Sequence, residues 1–123
     1  MSELAYLSLA EAAERIRTKD LSPVEYTQDL IGRIDAHDAT FNAFLRQTPE
    51  LALEHARQAE AAIQAGNWQG PLHGMPVGLK DIIDVRGIPT TGHSRILADN
   101  VAQANAVVTQ RLRDAGAVLM GKL

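Results

Sequence analysis

The run Gly74-Met75-Pro76-Val77-Gly78-Leu79-Lys80-Asp81-Ile82-Ile83-Asp84-Val85 is apolar, of strand length, and carries one lysine in its middle. Turn formers bound it on both sides, Gly70-Pro71 and His73-Gly74 before it and Gly87-Ile88-Pro89 after it, which favours a buried strand over a helix. Alternate residues of a strand face opposite sides of a sheet. Lys80 therefore shares a face with Gly78 and Ile82, while Val77, Leu79 and Ile83 line the other. Gly78 is expected to leave open space beside the lysine stem. The sequence before this run is amphipathic and helical, and the sequence after it reads as turn, helix and a second short strand.

Two readings of Lys80 follow from physics. In one, the four-carbon stem lies on apolar surface and the ammonium reaches water at the strand end. In the other, the amine is desolvated and works as a base, a role open to lysine but closed to arginine, whose guanidinium stays protonated.

The first helix is predicted to open at Ser8, where Ser8-Leu9-Ala10-Glu11 has the form of a capping box. It runs to about Thr18 with Leu9, Ala12, Ala13 and Ile16 inward. Ser22-Pro23-Val24-Glu25 starts a second helix over 23–37, with Val24, Leu30, Ile31 and Ile34 as its apolar stripe. The alternating segment Asn42-Ala43-Phe44-Leu45-Arg46 predicts a short strand with Phe44 toward the core. Thr48-Pro49 caps an alanine-rich helix from Glu50 to Ala65, stopped at Gly66, and Trp68 with Gly70-Pro71 leads into the central strand. Beyond it, Ile88-Pro89-Thr90-Thr91-Gly92-His93-Ser94 is a polar, glycine-punctuated loop of the kind that surrounds a site. Asn105 is placed to cap a last helix with Val107, Val108, Leu112 and Ala115 inward and Gly116 as its stop, and Val118-Leu119-Met120 is a second buried strand. Strand, crossover helix and strand make a parallel βαβ unit, which is right-handed in nearly all cases. So small a parallel sheet leaves edges and faces uncovered, and the expectation is part of a larger α/β protein.

Composition narrows the function classes. No cysteine is present among 123 residues, which removes a disulfide framework, a thiolate nucleophile and a cysteine-type zinc site and makes a cytoplasmic setting the expectation. The net charge of -3, with only 4% aromatic residues, argues against a nucleic-acid-binding face. Met1-Ser2-Glu3-Leu4 lacks the basic stretch and apolar run of a secretory leader, and no stretch approaches a membrane span.

Several motifs dissolve on inspection. Gly116-Ala117-Val118-Leu119-Met120-Gly121-Lys122 has phosphate-loop spacing, but Leu123 stands where a magnesium-binding Ser or Thr is needed, and the residues between the glycines read as a buried strand. Asp81 and Asp84 are offset by three, which in a strand puts them on opposite faces; they read as strand-end and turn carboxylates. His37, His55, His73 and His93 are dispersed with no His-x-x-x-His pair, so a metal site has little support and solvated or hydrogen-bonded histidine is the expectation for each. There is no Gly-x-Ser-x-Gly elbow, and Val77 occupies the position three before Lys80 where a Ser-x-x-Lys enzyme needs serine. A Ser94/Lys80 dyad is the one local nucleophile arrangement left, against the reading of Ser94 as a turn former.

Gly74-Met75-Pro76-Val77-Gly78-Leu79-Lys80-Asp81, followed by Asp84-Val85-x-Gly87-x-Pro89-Thr90-Thr91, resembles the lysine-bearing segment of the amidase signature family. Leu9 to Glu25 and Ala104 to Lys122 resemble that family's flanking segments in the same order, so the resemblance covers the chain from about residue 4. It implies a mixed α/β fold, with N-terminal helices leading into a partly parallel sheet, of which residues 1–123 are the N-terminal part of a single amidase domain. It also implies an amide-bond hydrolase whose triad is a nucleophilic serine, a second serine in a cis peptide, and a lysine matching Lys80. Both serines belong to a Gly/Ser-rich segment downstream of Leu123. The sequence departs from the family at His93, where many members carry glycine, a change expected to alter a pocket wall.

The implied substrate is a small carboxamide or acyl-amide, with no cofactor and no metal, and with no direct contact to nucleic acid or membrane. Homodimerisation or association through exposed sheet edges is the expected self-contact. Two alternatives stand beside this reading: the amidase-like component of a glutamyl-tRNA amidotransferase, which implies protein partners, and a noncatalytic remnant or interaction module that keeps the lysine segment without the serines.

Overall fold

The computed structural model describes residues 3–123. Met1 and Ser2, read above with the N-terminal segment, lie outside the described residues. A 3-10 turn, Glu3–Tyr6, leads to helix α1 (Leu9–Arg17), and helix α2 (Pro23–Phe41), strand β1 (Arg46–Gln47), helix α3 (Pro49–Gln64), strand β2 (Pro76–Leu79), a second 3-10 turn (Arg95–Leu97), helix α4 (Val107–Asp114) and strand β3 (Val118–Lys122) follow. The three strands form one sheet in the order β1-β3-β2. β3 pairs parallel with β2 and antiparallel with β1, so the fold is mixed α/β with a partly parallel sheet, and the βαβ unit read from the sequence is present.

The starts of α1 and α2 are fixed by their caps. Ser8 Oγ accepts from the Glu11 N–H at 3.2 Å while the Ser8 N–H donates to Glu11 Oε2 at 2.9 Å, a complete capping box. Ser22 Oγ accepts from the amides of Val24 and Glu25, with Pro23 in the first turn. Ala12, Ala13 and Ile16 are buried as expected. Leu9 is not: it is 53% exposed, because α1 meets the core only from its second turn onward.

Three expectations fail between α2 and α3. The second helix continues to Phe41, and Asn42, expected to open a strand, instead ends it with φ 49°, a left-handed conformation that asparagine tolerates. The strand over 42–46 shrinks to Arg46–Gln47 because Asp38 Oδ1 accepts from the Ala43 and Phe44 amides, which gives that backbone a side-chain partner in place of a sheet partner. Phe44 does face inward, packing with Val24, Leu30, Ile31 and Ile34 on Ala52, Ala56, Val118 and Met120. Thr48 makes no side-chain cap on α3; its hydroxyl donates to the Leu119 carbonyl at 3.4 Å and ties the helix start to β3.

α4 presents a face other than the one expected. Val107 and Val108 lie exposed, and Thr109 is the buried residue, its hydroxyl donating to the Asp84 carbonyl at 2.7 Å. Leu112 packs below it on Leu79, Val85 and Leu119. Asn105 does not cap the helix, since its side-chain oxygen accepts from the Arg86 amide at 2.8 Å and the N-cap is Ala106. Gly116 ends the helix with φ 80°, and β3 is buried along its whole length.

A candidate active site at the end of strand β2

β2 is shorter than the apolar run that contains it. It stops at Leu79, and Ile82 and Ile83 fall in a turn that the Ile83 N–H closes on the Lys80 carbonyl at 3.0 Å. The expected alternation holds: Gly78, Lys80 and Ile82 are exposed, and Leu79 is buried with Val77 and Ile83 packed against its cluster. The space foreseen at Gly78 is occupied. A Cβ there would lie 2.9 Å from Leu123 Cδ1, so the Leu123 side chain lies against the strand at this point.

Lys80 is held by its two neighbours. The Leu123 N–H donates to the Leu79 carbonyl at 2.7 Å, and the Asp81 N–H donates to the Leu123 carbonyl at 2.8 Å, so one residue at the end of β3 brackets Lys80 from both sides. The Lys80 carbonyl accepts from the Ile83 amide at 3.0 Å and the Asp81 carbonyl from the Gly92 amide at 2.8 Å. Backbone direction at Lys80 is thereby fixed while its side chain points to the exposed face. The amine pairs with no carboxylate among the described residues.

On the other face lies a feature that the sequence reading missed. Asp81 and Lys122 are both fully buried, and Lys122 Nζ donates to Asp81 Oδ1 at 2.8 Å. The ammonium is also 3.4 Å from the Pro89 carbonyl and from Thr90 Oγ1. Asp81 Oδ2 accepts from the Thr91 N–H at 3.0 Å and from the Thr91 hydroxyl. Burial works to raise the Asp81 pKa, but the donors on Lys122 and Thr91 outweigh it and hold the carboxyl below its ordinary value. A signal for this pair was in the sequence: Lys122 ends a fully apolar strand, and a buried lysine requires a partner. Asp84, by contrast, is exposed and contributes its backbone carbonyl to Ala106 and Thr109. The two aspartates are not an acid/base pair.

The loop after β2 is tied to this pair. Ser94 caps the 3-10 turn Arg95–Leu97, its hydroxyl accepting from the Ile96 amide at 3.3 Å, as expected of a turn former. His93 sits at φ 60° and is exposed, a left-handed position that glycine occupies without strain. Lys122, the last residue of the phosphate-loop pattern, is consumed by the ion pair, and the residues between its glycines are strand, so that pattern cradles no phosphate.

Two histidines stand apart from the site. His55 and His73 are buried beside Arg113 around a cavity of about 150 Å³, and each ring Nδ1 accepts a backbone N–H, from Leu119 at 3.4 Å and from Gln69 at 3.0 Å. Burial and the Arg113 charge push His55 down to about 4, and burial lowers His73 in the same direction. No group of three or more metal-ligating side chains occurs among the described residues. No helix of the described residues is long and apolar enough to cross a membrane.

A family model described as Amidase matches residues 25–123. The chain belongs to the amidase signature family. It is 45% identical over its 123 residues to the A-type component of the glutamyl-tRNA(Gln) amidotransferase of Chloroflexus aurantiacus, covering 100% of this chain and 25% of that protein. The native peptide amidase of Stenotrophomonas maltophilia superposes with a TM-score of 0.88 at 34% identity, over 96% of this chain and 24% of that one. A bacterial aryl acylamidase of the amidase signature enzymes superposes with a TM-score of 0.90 at 28% identity, over 98% and 26%. The chain spans about a quarter of the length of the curated relatives it matches, and the helices and strands of the described residues match the N-terminal portion of the family's fold.

Proposed function

We propose that these residues are the lysine-bearing, N-terminal part of a single amidase domain that cleaves amide bonds, with Lys80 as its general base. The observation that carries this is the placement of Lys80 at the open end of β2, its backbone bracketed by Leu123 and its amine facing outward without a carboxylate partner. In the family that the chain belongs to, a neutral lysine takes a proton relayed through a cis-peptide serine from a nucleophilic serine; the nucleophile attacks the amide carbonyl, and water resolves the acyl-enzyme. In that family the serines lie downstream of the part that residues 1–123 resemble, so the proposed chemistry is that of a full-length family member. Its substrate is a linear carboxamide or acyl-amide, its chemistry uses no metal or cofactor, and its setting is cytoplasmic.

The 45% identity to an amidotransferase component, against 34% and 28% to two amidases, favours a second reading in which the same site releases ammonia from glutamine within a multi-protein complex.

The test is ammonia release, from glutamine and from a panel of primary carboxamides, by the full-length protein and its Lys80→Ala and Lys80→Arg variants, with circular dichroism to confirm folding. Alanine deletes the proton acceptor, and arginine keeps a charge that cannot be lost near neutral pH. Both variants should lose about 10²–10⁴ in kcat/KM or more. Arginine activity within about threefold of wild type would show that Lys80 merely carries a surface charge, as a snorkelling lysine does. A glutamine-only profile that depends on added partner proteins selects the amidotransferase reading.

A further inference from the structure

Lys122 and Asp81 form a buried ion pair whose cost in lost solvation apolar residues of similar volume would avoid, so stability alone is a weak reason for such a pair. Its position suggests another. Leu79 and Lys122 are cross-strand partners in the parallel ladder, which puts the Lys122 side chain on the buried face of β2, opposite Lys80. Asp81 is the residue immediately after Lys80, and Leu123, which brackets Lys80, is the residue immediately after Lys122. The ion pair therefore cross-links, from below, the same two strand ends whose backbone bonds enclose Lys80 from the side.

Its geometry is also directional. The Lys122 ammonium meets three acceptors belonging to Asp81, Pro89 and Thr90, and the second oxygen of Asp81 meets two donors of Thr91. Three chain segments, the ends of β2 and β3 and the loop 89–92, converge on one carboxylate, and the Asp81 carbonyl is held in turn by Gly92. An apolar replacement would fill the same volume with no such fixed directions.

We propose that the Asp81–Lys122 pair is a positioning device for Lys80: it sets the tilt of the strand end so that the amine, one residue away and on the opposite face, points where a reacting group must be met. This rests on the reading of Lys80 as the base. Both side chains are buried, so in this proposal they act through the backbone they fix. Misplacement by about 1 Å is enough to cost about 10²-fold in rate.

The experiment uses the full-length protein and the carboxamide on which the Lys80 variants are measured. Replacing one partner leaves a buried charge unpaired and threatens folding, so the decisive variant is the double Asp81→Asn/Lys122→Met, in which asparagine keeps an acceptor for Thr91 and methionine keeps the stem. The expected result is a folded protein whose kcat, per folded molecule, falls about 30- to 100-fold while KM stays within about threefold. A folded double variant with wild-type kcat overturns the proposal. Should the double variant fail to fold, Thr91→Val removes one donor to Asp81 at lower structural cost, and the same division applies: a drop in kcat of about fivefold or more with unchanged KM supports positioning, and unchanged kcat overturns it. Failure of the underlying reading looks different, since it would appear as an active Lys80→Arg variant, whereas failure of this inference alone leaves both Lys80 variants inactive and the double variant fully active.

Discussion

Acid should weaken this fold through His55. The residue sits on α3 against β3, 9% exposed, with its ring nitrogen engaged by the Leu119 amide, and burial followed by the Arg113 charge brings its pKa to about 4. An unfolded histidine takes up its proton near 6.5. Between those two values the unfolded chain binds a proton that the folded chain refuses, so stability is complete above about pH 6.5, falls as the pH drops toward 4, and levels off below. A difference of about 2.5 pH units corresponds to about 3 kcal/mol, a large share of the 5–15 kcal/mol typical of a domain. His73 is shifted the same way and steepens the slope. The assay is urea unfolding by circular dichroism from pH 7 to 4 at micromolar concentration, on wild type and on His55→Gln, which cannot titrate. The variant's stability should depend less steeply on pH by up to one proton, or about 1.4 kcal/mol per pH unit. Equal slopes for the two proteins, or an imidazole NMR titration of His55 near 6.5, would refute the reasoning.

Gly116→Ala should destabilise by about 2 kcal/mol or more, since it imposes φ 80° on a residue with a Cβ, worth about 1–2 kcal/mol, and places that Cβ 2.2 Å from His73 Cδ2; an unchanged urea midpoint would count against the close packing of α4's end on His73. The 123-residue chain by itself should associate on size exclusion, because Ile96 is 94% and Val107 70% exposed and Phe41 and Ile82 are exposed with them. A monomer with one sharp thermal transition would mean that these residues complete their own core. The same chain should release no ammonia from carboxamides, a base without nucleophile and oxyanion donors having nothing to activate; turnover abolished by Ser94→Ala would instead promote a Ser94/Lys80 dyad.

Where local chemistry decides the outcome, the sequence was legible. Ser8 with Glu11 and Ser22 with Pro23 set two helix starts, and Gly66 and Gly116 two helix ends, because caps and left-handed stops need particular residues at particular places. The run around Lys80 announced its strand and its two faces. What escaped was decided by polar side-chain contacts that the apolar pattern does not register. Asp38 claims the Ala43 and Phe44 amides and takes that segment out of strand geometry, and Thr109 bonds the Asp84 carbonyl and so holds α4 with its valines outward. Hydrophobic periodicity pointed the other way in both places, and the polar contacts of one side chain overrode it in each. The Asp81–Lys122 pair escaped for a related reason: its members are 41 positions apart, and each alone resembles an ordinary strand-end charge.

The two lysines of this region show why burial by itself is a poor guide to a base. Lys122 is the buried one and, on exposure alone, the better candidate for a neutral amine. Yet a carboxylate, a carbonyl and a hydroxyl surround it, so its amine is taken up by structural contacts. Lys80 is the exposed one, and it has no carboxylate to hold its charge. On the proposed reading the working amine is therefore the one at Lys80, which no carboxylate among the described residues engages. If the proposed reading holds, an acidic residue introduced within about 4 Å of Lys80 should cost activity, because an ion pair there would make it a second structural lysine like Lys122.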